Sequence, residues 1–471
     1  MPMIQSDPKR PAGGYREFFT IAYPLVISNA SMTVMVFVDR LLLSWASAEN
    51  IAAAIPTVVL LFTFWSIFIG VSEYTNTFVA QFYGAGRRME IGKAAWQGIY
   101  FSLFGAVLTL PFYPLGYVFL DWGGHAPAIL SLEKQYFSWL YWGGPFFILN
   151  GALSSFYSGR GRTKVIMTIN IIANLINLVL DYALIFGVWG FPEMGIRGAA
   201  LATVLSTVAA SAIYLVLFLS SANDQIYGTR RMWRFDRDLM RRLIRFGFPS
   251  GIHFFLEVSA FSMFVFLIGR IGNVELAASN IALSLNMLAW FPMVGASIAT
   301  TTLVGQYIGR KQKENAIKSA FTAFLAVEAY MIGFAGIFIL FSGPLVHLFQ
   351  SRSGVDISFA EVAPMGAKLL ICVALYQIFD AMLLTFSGAL RGVGDTAFAM
   401  WACVICAWCV FVPGTWLVAE YLKLGIFAAW GWLFLYSFMM GLLYLKRFTS
   451  RRWEAIHVIP DSMEQANDSP L

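Results

Sequence analysis

Twelve continuous apolar runs constrain this chain more than any other feature of its sequence. A helix needs about 20 consecutive apolar residues to cross the hydrocarbon core of a bilayer. No water reaches the backbone there, so a spanning segment must be a helix or part of a closed barrel. Barrel strands alternate apolar and polar residues, whereas these runs do not. We therefore predict an all-α integral membrane protein whose twelve spans lie at residues 18–44, 53–83, 96–120, 135–158, 164–188, 199–221, 243–269, 277–308, 319–349, 365–390, 396–420 and 425–446.

Composition and charge placement agree with a membrane protein. Of the 471 residues only 12% are charged, compared with about 25% in a soluble domain. With the N-terminus placed inside, 25 of the 32 Lys and Arg lie in inside segments. Cytoplasmic loops carry such an excess, so we expect both termini to be cytoplasmic. The net charge of +6 then reflects membrane topology rather than a nucleic-acid-binding patch.

The chain contains one unit twice. A shift of 225 residues, without gaps, pairs identical residues at Pro24/Pro249, Trp65/Trp290, Gly70/Gly295, Thr75/Thr300, Val79/Val304, Gln81/Gln306, Gly84/Gly309 and Lys93/Lys318. Six spans separate the copies, so both copies have the same orientation. Parallel repeats of this kind are typical of transporters with a substrate site between two bundles.

The repeat predicts two six-helix bundles related by a pseudo-twofold axis along the membrane normal. The first bundle is expected at residues 1–226 and the second at 243–447. Residues 227–242 are then a cytoplasmic linker, and residues 448–471 a cytoplasmic tail.

Six carboxylates fall inside the predicted spans, apart from Glu420 at the last residue of the eleventh span. A charge at the bilayer centre costs roughly 2.5–3.5 kcal/mol on insertion scales. The carboxylates could form structural ion pairs or bind a cation. Few Lys or Arg lie at the same depth to pair with them, which favours cation binding. The six are Asp39, Glu73, Asp181, Glu257, Glu328 and Asp380.

Two of these acids are expected in the outer half of the first bundle. At 1.5 Å per residue, Asp39 lies about 12 Å and Asp181 about 8 Å outward from the middle of the first and fifth spans. Asn177 precedes Asp181 by four residues and shares its helix face. We predict that Asp39, Asn177 and Asp181 line one pocket, with the Asn177 carbonyl as a neutral oxygen ligand.

A second pair of acids is expected at mid-depth in the second bundle. Glu257 lies near the middle of the seventh span and Asp380 near the middle of the tenth. Tyr376 precedes Asp380 by four residues on the same face. The repeat does not duplicate the first pocket, because Asp39 aligns with Phe264. The two bundles are therefore expected to share a fold and differ in chemistry.

Two prolines occupy matching positions in the first and seventh spans, Pro24 and Pro249. A proline inside a helix removes one backbone hydrogen bond and bends the helix. We interpret both as hinges that let the bundles rearrange.

Several segments resemble the multidrug and toxic compound extrusion (MATE) transporters. They are FVDRLLLSW with Asp39, NLVLDYALIFG with Asp181, GFPSGIHFFLEVSAF with Glu257 and LYQIFDAMLLTFSGALRGVGDT with Tyr376 and Asp380. The resemblance covers about residues 15–447, and the acids of the seventh and tenth spans are similar to the NorM-like branch. Glu73 and Glu328 do not match the family pattern.

The resemblance implies an exporter of organic cations that runs on Na⁺ or H⁺ exchange, with a V-shaped cleft between its bundles. Na⁺ prefers oxygen ligands, and a buried carboxylate also carries a proton, so residue types alone suit either ion. Na⁺ would bind at Glu257, Asp380 and Tyr376, or at Asp39, Asn177 and Asp181. The NorM-like features favour Na⁺. We expect a monomer without a cofactor, in the bacterial inner membrane.

Other functional classes fit the sequence less well. A lipid-linked oligosaccharide flippase of the same superfamily tends to need a cationic cavity, whereas the charges here are acidic. A membrane enzyme would need a nucleophile–base or metal-ligand constellation, and the sequence shows neither. A channel would dissipate an ion gradient without any drug present. Three cysteines at spacing i, i+3, i+6, Cys403, Cys406 and Cys409, suit helix packing better than a metal site.

Overall fold

The computed structural model describes residues 12–349 and 359–460, and every regular element within those ranges is helical. The α-helices are α1 (Tyr15–Ala46), α2 (Ala48–Glu73), α3 (Thr75–Gly84), α4 (Arg88–Thr109), α5 (Phe112–Trp122), α6 (Pro127–Leu140), α7 (Gly144–Ser158), α8 (Thr163–Phe186), α9 (Ile196–Phe218), α10 (Ser221–Tyr227), α11 (Arg237–Ile271), α12 (Asn273–Gly309), α13 (Lys313–Leu340), α14 (Ser342–His347), α15 (Phe359–Val393), α16 (Thr396–Cys403), α17 (Val412–Trp416) and α18 (Ile426–Thr449).

The predicted spans fall on these helices. Ten helical segments of the described chain are long and apolar enough to cross a membrane, and α4 with α5, bent by 54°, makes an eleventh. The span predicted at 135–158 consists of the end of α6, a 3₁₀ turn at Tyr141–Gly143 and α7. The span predicted at 396–420 alternates α16 and α17 with π-helical segments at Val404–Phe411 and Leu417–Tyr421. The prediction of an all-α membrane protein is confirmed.

The chain packs as two compact units that do not coincide with its two halves. The N-unit contains Ile27–Phe255 and residues 458–460, and the C-unit contains residues 12–26 and Leu256–His457. The first part of α11 therefore belongs to the N-unit, and the first part of α1 belongs to the C-unit. The sequence-based limits at residues 226, 242 and 447 divide the chain into two consecutive sets of six spans, and they stay a prediction.

Glycines bring helix backbones into direct contact within each unit. In the N-unit, a Cβ added at Gly70 of α2 would lie 2.7 Å from the Cα of Gly251 in α11, and one at Gly251 would lie 2.3 Å from the carbonyl oxygen of Ile67. In the C-unit, a Cβ at Gly295 of α12 would lie 2.7 Å from the carbonyl carbon of Leu25 in α1. Small residues permit such close approach between helices. Gly70 and Gly295 are equivalent in the repeat. In each unit this glycine therefore contacts the helix segment that comes from the other half of the chain, which is the first part of α11 in the N-unit and the first part of α1 in the C-unit.

Each unit has its own aromatic-rich core. In the N-unit the buried Trp65 ring stacks on Phe147 with 5.5 Å between centroids. In the C-unit Phe386 packs on Phe448, and Phe448 stacks on Trp453 at 5.5 Å. In a bilayer the hydrophobic effect does not drive helices together, because lipid tails are as apolar as the side chains. Van der Waals packing does so instead, and large buried rings contribute much of it.

Side chains of α4 fix the segment between α10 and α11. Trp96 donates its indole N–H to the Thr229 carbonyl oxygen at 2.6 Å, and the Gln97 amide donates to the Arg234 carbonyl oxygen at 3.3 Å. The tyrosine hydroxyl of Tyr100 donates to the carbonyl oxygen of Trp233. The basic linker is therefore an ordered strap along α4.

Asp236 ends this strap and caps α11. One of its carboxylate oxygens accepts the Leu239 backbone N–H at 2.9 Å, and the other lies 2.6 Å from Lys93 Nζ. Partial burial alone would raise the pKa of Asp236, but the backbone hydrogen bond and Lys93 together hold that pKa below its usual value. The carboxylate thus satisfies an N–H that has no partner inside the helix.

Replacing Gly295 with Val tests the close helix crossing. The new side chain would meet backbone atoms of Leu25, which cannot rotate away, so we expect the free energy of unfolding to fall by about 1–3 kcal/mol. The measurement is the thermal unfolding midpoint in detergent.

Gly333→Ala is the matched control for that variant. Nothing lies within 4 Å of a Cβ at Gly333, and alanine favours a helix by about 1 kcal/mol over glycine. This variant should unfold at or slightly above the wild-type midpoint. A Gly295→Val protein with an unchanged midpoint would contradict the close approach of α1 and α12.

Candidate functional site

The structure brings the first three predicted residues together in the N-unit. Asp39 on α1 and Asp181 on α8 lie close enough to interact, and Asn177 lies beside Asp181. Asp181 and Asn177 are both 0% exposed. Helical spacing explains this arrangement, because residues four apart share one face of α8.

These buried polar atoms have no protein partner. Among the described residues, both carboxylate oxygens of Asp181, both amide atoms of Asn177 and Oδ1 of Asp39 accept or donate no hydrogen bond. A buried polar atom without a partner costs about 1–3 kcal/mol, and two neighbouring carboxylates repel each other. A proton or a small cation between them would offset both costs, so this pocket has the chemistry of a cation site.

Tyr136 completes the pocket from a third helix. It lies on α6, is 6% exposed, and feels the charges of Asp39, Asp181 and Arg40. Sequence spacing gave no signal for it, because α6 meets α1 and α8 only through tertiary packing. Arg40 attracts Asp39 but is itself exposed, so the pocket keeps its acidic character.

The second predicted cluster lies in the C-unit. Glu257 on α11 and Asp380 on α15 interact through their charges, and Tyr376 is buried next to Asp380. The Ser437 hydroxyl of α18 also lies beside Asp380, and Arg391 attracts Glu257. Asp380 is 8% exposed and Glu257 is half-buried. Ser437 was missed because a single serine in an apolar span carries no signal.

A π-helical segment adjoins Glu257. Trp408, within Val404–Phe411, donates its indole N–H to the Leu256 carbonyl oxygen at 3.2 Å. Cys403, directly before this segment, and Cys406, within it, are buried in the core of the C-unit. π-Helical turns inside α-helices occur frequently at functional sites, and this one positions the backbone beside the carboxylate.

Both clusters present two carboxylates and neutral oxygens. Within residues 12–349 and 359–460, no group of three His, Cys, Asp or Glu side chains is placed to hold a metal ion. Two carboxylates with an amide, a phenol or a hydroxyl instead suit a proton or a monovalent hard cation.

The remaining two acids lie outside these clusters. Glu73 is the last residue of α2, where its carbonyl oxygen accepts the Ser155 hydroxyl at 3.1 Å. Glu328 is half-buried on α13, and its Oε2 has no hydrogen-bond partner in the described chain.

Pro24 lies inside α1 and Pro249 inside α11. Each precedes the residue at which its helix passes from one unit to the other, which is Ile27 in α1 and Leu256 in α11. The two prolines predicted to be hinges therefore lie close to the residues at which α1 and α11 pass from one unit to the other.

A family model described as MatE matches residues 24–183 and 249–417. One matched segment lies in each copy of the repeat, and the two together include every predicted site residue. The match therefore spans most of the chain.

Curated relatives align along almost the whole chain. A probable multidrug resistance protein NorM of Thermotoga maritima is 28% identical over 448 residues, which are 93% of each protein. A protein of the same description in Bradyrhizobium diazoefficiens is 29% identical over 450 residues, covering 94% of this chain and 95% of the relative.

A solved structure with the same fold is that of a MOP superfamily transporter from Pyrococcus furiosus. It superposes with a TM-score of 0.84 at 19% sequence identity, covering 94% of this chain and 96% of that one. Its description reports a binding pocket of reverse polarity that suggests a different function for that protein. At this identity the likeness concerns the fold, and it confirms the predicted layout of twelve helices in two bundles.

Cation binding at the Asp39–Asp181 pocket predicts stabilisation by Na⁺. A ligand at 100 times its dissociation constant stabilises the folded state by about 2.7 kcal/mol. We expect NaCl to raise the thermal unfolding midpoint of the purified protein above its value in choline chloride of equal ionic strength, and Asp181→Asn to remove that rise.

Asp121→Asn is the control for this measurement. Asp121 pairs with Lys134 at 2.5 Å and is 52% exposed in its side chain, so this variant should keep the response to Na⁺. Equal midpoints of the wild type in the two salts, or an undiminished rise in Asp181→Asn, would contradict Na⁺ binding in the pocket.

Proposed function

Because this chain belongs to the MatE family and is a multidrug efflux transporter, we propose that it exports organic cations in exchange for Na⁺ or H⁺. The observation that carries the proposal is the neighbouring pair Asp39 and Asp181 on two predicted membrane spans. Asp181 is 0% exposed with neither carboxylate oxygen hydrogen-bonded in the described chain, and Asp39 is half-buried with its Oδ1 unpartnered there. Among the residues that the structure describes, Asp181 forms no ion pair, and the only basic side chain that attracts Asp39 is the exposed Arg40. A group of that kind in a membrane protein marks an ion or substrate pathway.

Competition for negative charge supplies the coupling. A small ion and an organic cation are both attracted to the same carboxylates, and two cations near one carboxylate repel each other. Binding of one therefore favours release of the other. Glu257 and Asp380 offer a second site of the same character, so the ion and the drug can act at either cluster.

The oxygen ligands in both clusters suit the coupling ion. Asp39, Asn177 and Asp181 offer carboxylate and amide oxygens, whereas Glu257, Asp380 and Tyr376 offer carboxylate and phenol oxygens. Na⁺ is a hard cation that prefers such ligands, and each carboxylate also binds a proton. The resemblance to the NorM-like branch favours Na⁺, and the acidic character of both clusters disfavours an anionic lipid-linked substrate.

The membrane potential sets the scale of export. One net charge moving inward gains about 2.3 kcal/mol per 100 mV. Since about 1.4 kcal/mol corresponds to a tenfold concentration ratio, that gain supports between one and two decades of substrate gradient when one net charge moves. No cofactor other than the coupling ion enters this scheme.

The setting of the proposal is a bacterial inner membrane. The chain is a multi-pass membrane protein, and the excess of Lys and Arg in alternate connections supports cytoplasmic N- and C-termini. All the residues invoked lie in one chain, so a monomer is sufficient for the mechanism.

Transport in everted membrane vesicles tests the proposal. A fluorescent organic cation should accumulate when a Na⁺ gradient or a pH gradient is imposed separately, and the effective gradient identifies the ion. We expect Asp39→Asn, Glu257→Gln and Asp380→Asn each to reduce the initial rate at least tenfold, because each removes a negative charge from its cluster.

The control for the transport assay is Asp121→Asn, an exposed carboxylate outside both clusters, which should transport at the wild-type rate. Normal rates in all three cluster variants would exclude the acidic sites as the coupling machinery. Dissipation of either gradient by the wild type without any organic cation would instead indicate a channel.

Replacing Pro24 with Ala tests the proposed hinge. Restoring one hydrogen bond in α1 stiffens the helix near its point of exchange, so we expect the turnover rate to fall several-fold while the dissociation constant of the organic cation changes less than twofold. The two quantities are measured by vesicle transport and by equilibrium binding, and unchanged turnover would remove Pro24 from the mechanism.

A further inference from the structure

The first turns of α11 line a cavity that plays no part in the proposed transport. It has a volume of about 700 Å³, which falls in the range of ligand pockets. All of its lining residues belong to the N-unit. They are Asp238, Leu239, Arg241, Arg242, Ile244, Arg245 and Pro460.

The charge of this cavity is positive. Three arginines and one carboxylate, Asp238, face it. Arg242 helps to build the wall, because its Nη1 donates to the Val458 carbonyl oxygen at 3.2 Å. Arg241 and Arg245 are exposed, and among the described residues neither takes part in an ion pair or a hydrogen bond, although the Arg245 guanidinium lies 5.7 Å from the centroid of the Phe246 ring. Two guanidinium groups are therefore available to a ligand.

The last described residues of the chain close the opposite side. Pro460 is buried against the cavity, and its carbonyl oxygen accepts Arg87 Nη1 at 3.2 Å. Val458 is 1% exposed. The wall is thus held by two arginine–carbonyl hydrogen bonds rather than by loose surface contact.

Exposed apolar residues continue the same face of α11 toward the membrane. Ile244 is 41% exposed and Phe248 is 49% exposed. At 100° per residue, Arg241, Ile244, Arg245 and Phe248 lie on one side of the helix, and Phe248 lies about 10 Å along the axis from Arg241. A ligand that fits this face has an anionic end and an apolar end, separated by about the depth of the lipid interface.

We propose that this cavity binds the phosphate headgroup of an anionic phospholipid, with the acyl chains against Ile244 and Phe248. The paired guanidinium groups of Arg241 and Arg245 suit phosphate oxygens geometrically. Trp233 and Phe235, 58% and 57% exposed in the adjoining strap, are residue types enriched at the membrane–water interface. The apolar face favours a lipid over a free phosphate ion, because a phosphate ion has no apolar part to pack against it.

Native mass spectrometry of the full chain tests the proposal, with phosphatidylglycerol, phosphatidylcholine and inorganic phosphate as probes. An arginine near an anionic lipid contributes about a fivefold factor in affinity. We expect Arg241→Gln/Arg245→Gln to weaken phosphatidylglycerol binding between fivefold and about 25-fold, and phosphatidylcholine to bind the wild type no better than it binds the variant.

The matched control is Arg234→Gln/Arg237→Gln, which removes the same charge from exposed arginines that do not line the cavity. It should retain wild-type affinity for phosphatidylglycerol. An equal loss in both double variants would show diffuse attraction and overturn the proposal.

Two further outcomes would also overturn it. Displacement of phosphatidylglycerol by inorganic phosphate at equal concentration would assign the cavity to a free anion. A tenfold rise in phosphatidylglycerol affinity after removal of residues 461–471 would assign it to carboxylates of the chain itself. Unchanged affinity in that truncated chain supports the lipid.

Discussion

The absence of polar solvent inside the bilayer is the constraint on which the rest of this structure depends. It forces the backbone to satisfy its own hydrogen bonds, and the described chain is accordingly helical throughout its regular elements. The same constraint applies to side chains. Most serines and threonines within the spans bond to carbonyl oxygens of their own helix, as Ser102 does to Gly98 at 2.8 Å. Asp181 and Asn177 find no hydrogen-bond partner within the described chain, and this is the reason for proposing that they bind a cation.

The two copies of the repeat solve one packing problem and diverge in chemistry. Phe264, which aligns with Asp39, is 0% exposed and packs against Phe411 with 5.4 Å between the centroids of the two tilted rings. One copy therefore uses this helix position for an acid and the other uses it for its core. The C-unit places its acids at Glu257 and Asp380 instead. Fold symmetry and functional asymmetry coexist because helix crossings depend on small residues, not on the charged ones.

The sequence predicted the features that local periodicity encodes. Run length located the spans, and a spacing of four placed Asn177 with Asp181 and Tyr376 with Asp380. Tyr136 and Ser437 could not be found that way, since each reaches its acid from a helix with no fixed spacing to it. The π-helical segment at Val404–Phe411 could not be predicted either. An apolar run has the same sequence pattern whether its backbone hydrogen bonds join residues four apart, as in an α-helix, or five apart, as in a π-helix.

The exchange of helix segments at Ile27 and Leu256 has a consequence for any attempt to divide the molecule. A protein severed within the strap after α10 would leave the amino-terminal fragment without the stretch of α11 that meets Gly70. The carboxy-terminal fragment would likewise lack the stretch of α1 that meets Gly295. Neither fragment would contain all the helices of its own unit. Two separate polypeptides could reassemble only if each packed the first part of its α1 or α11 into the unit formed mainly by the other.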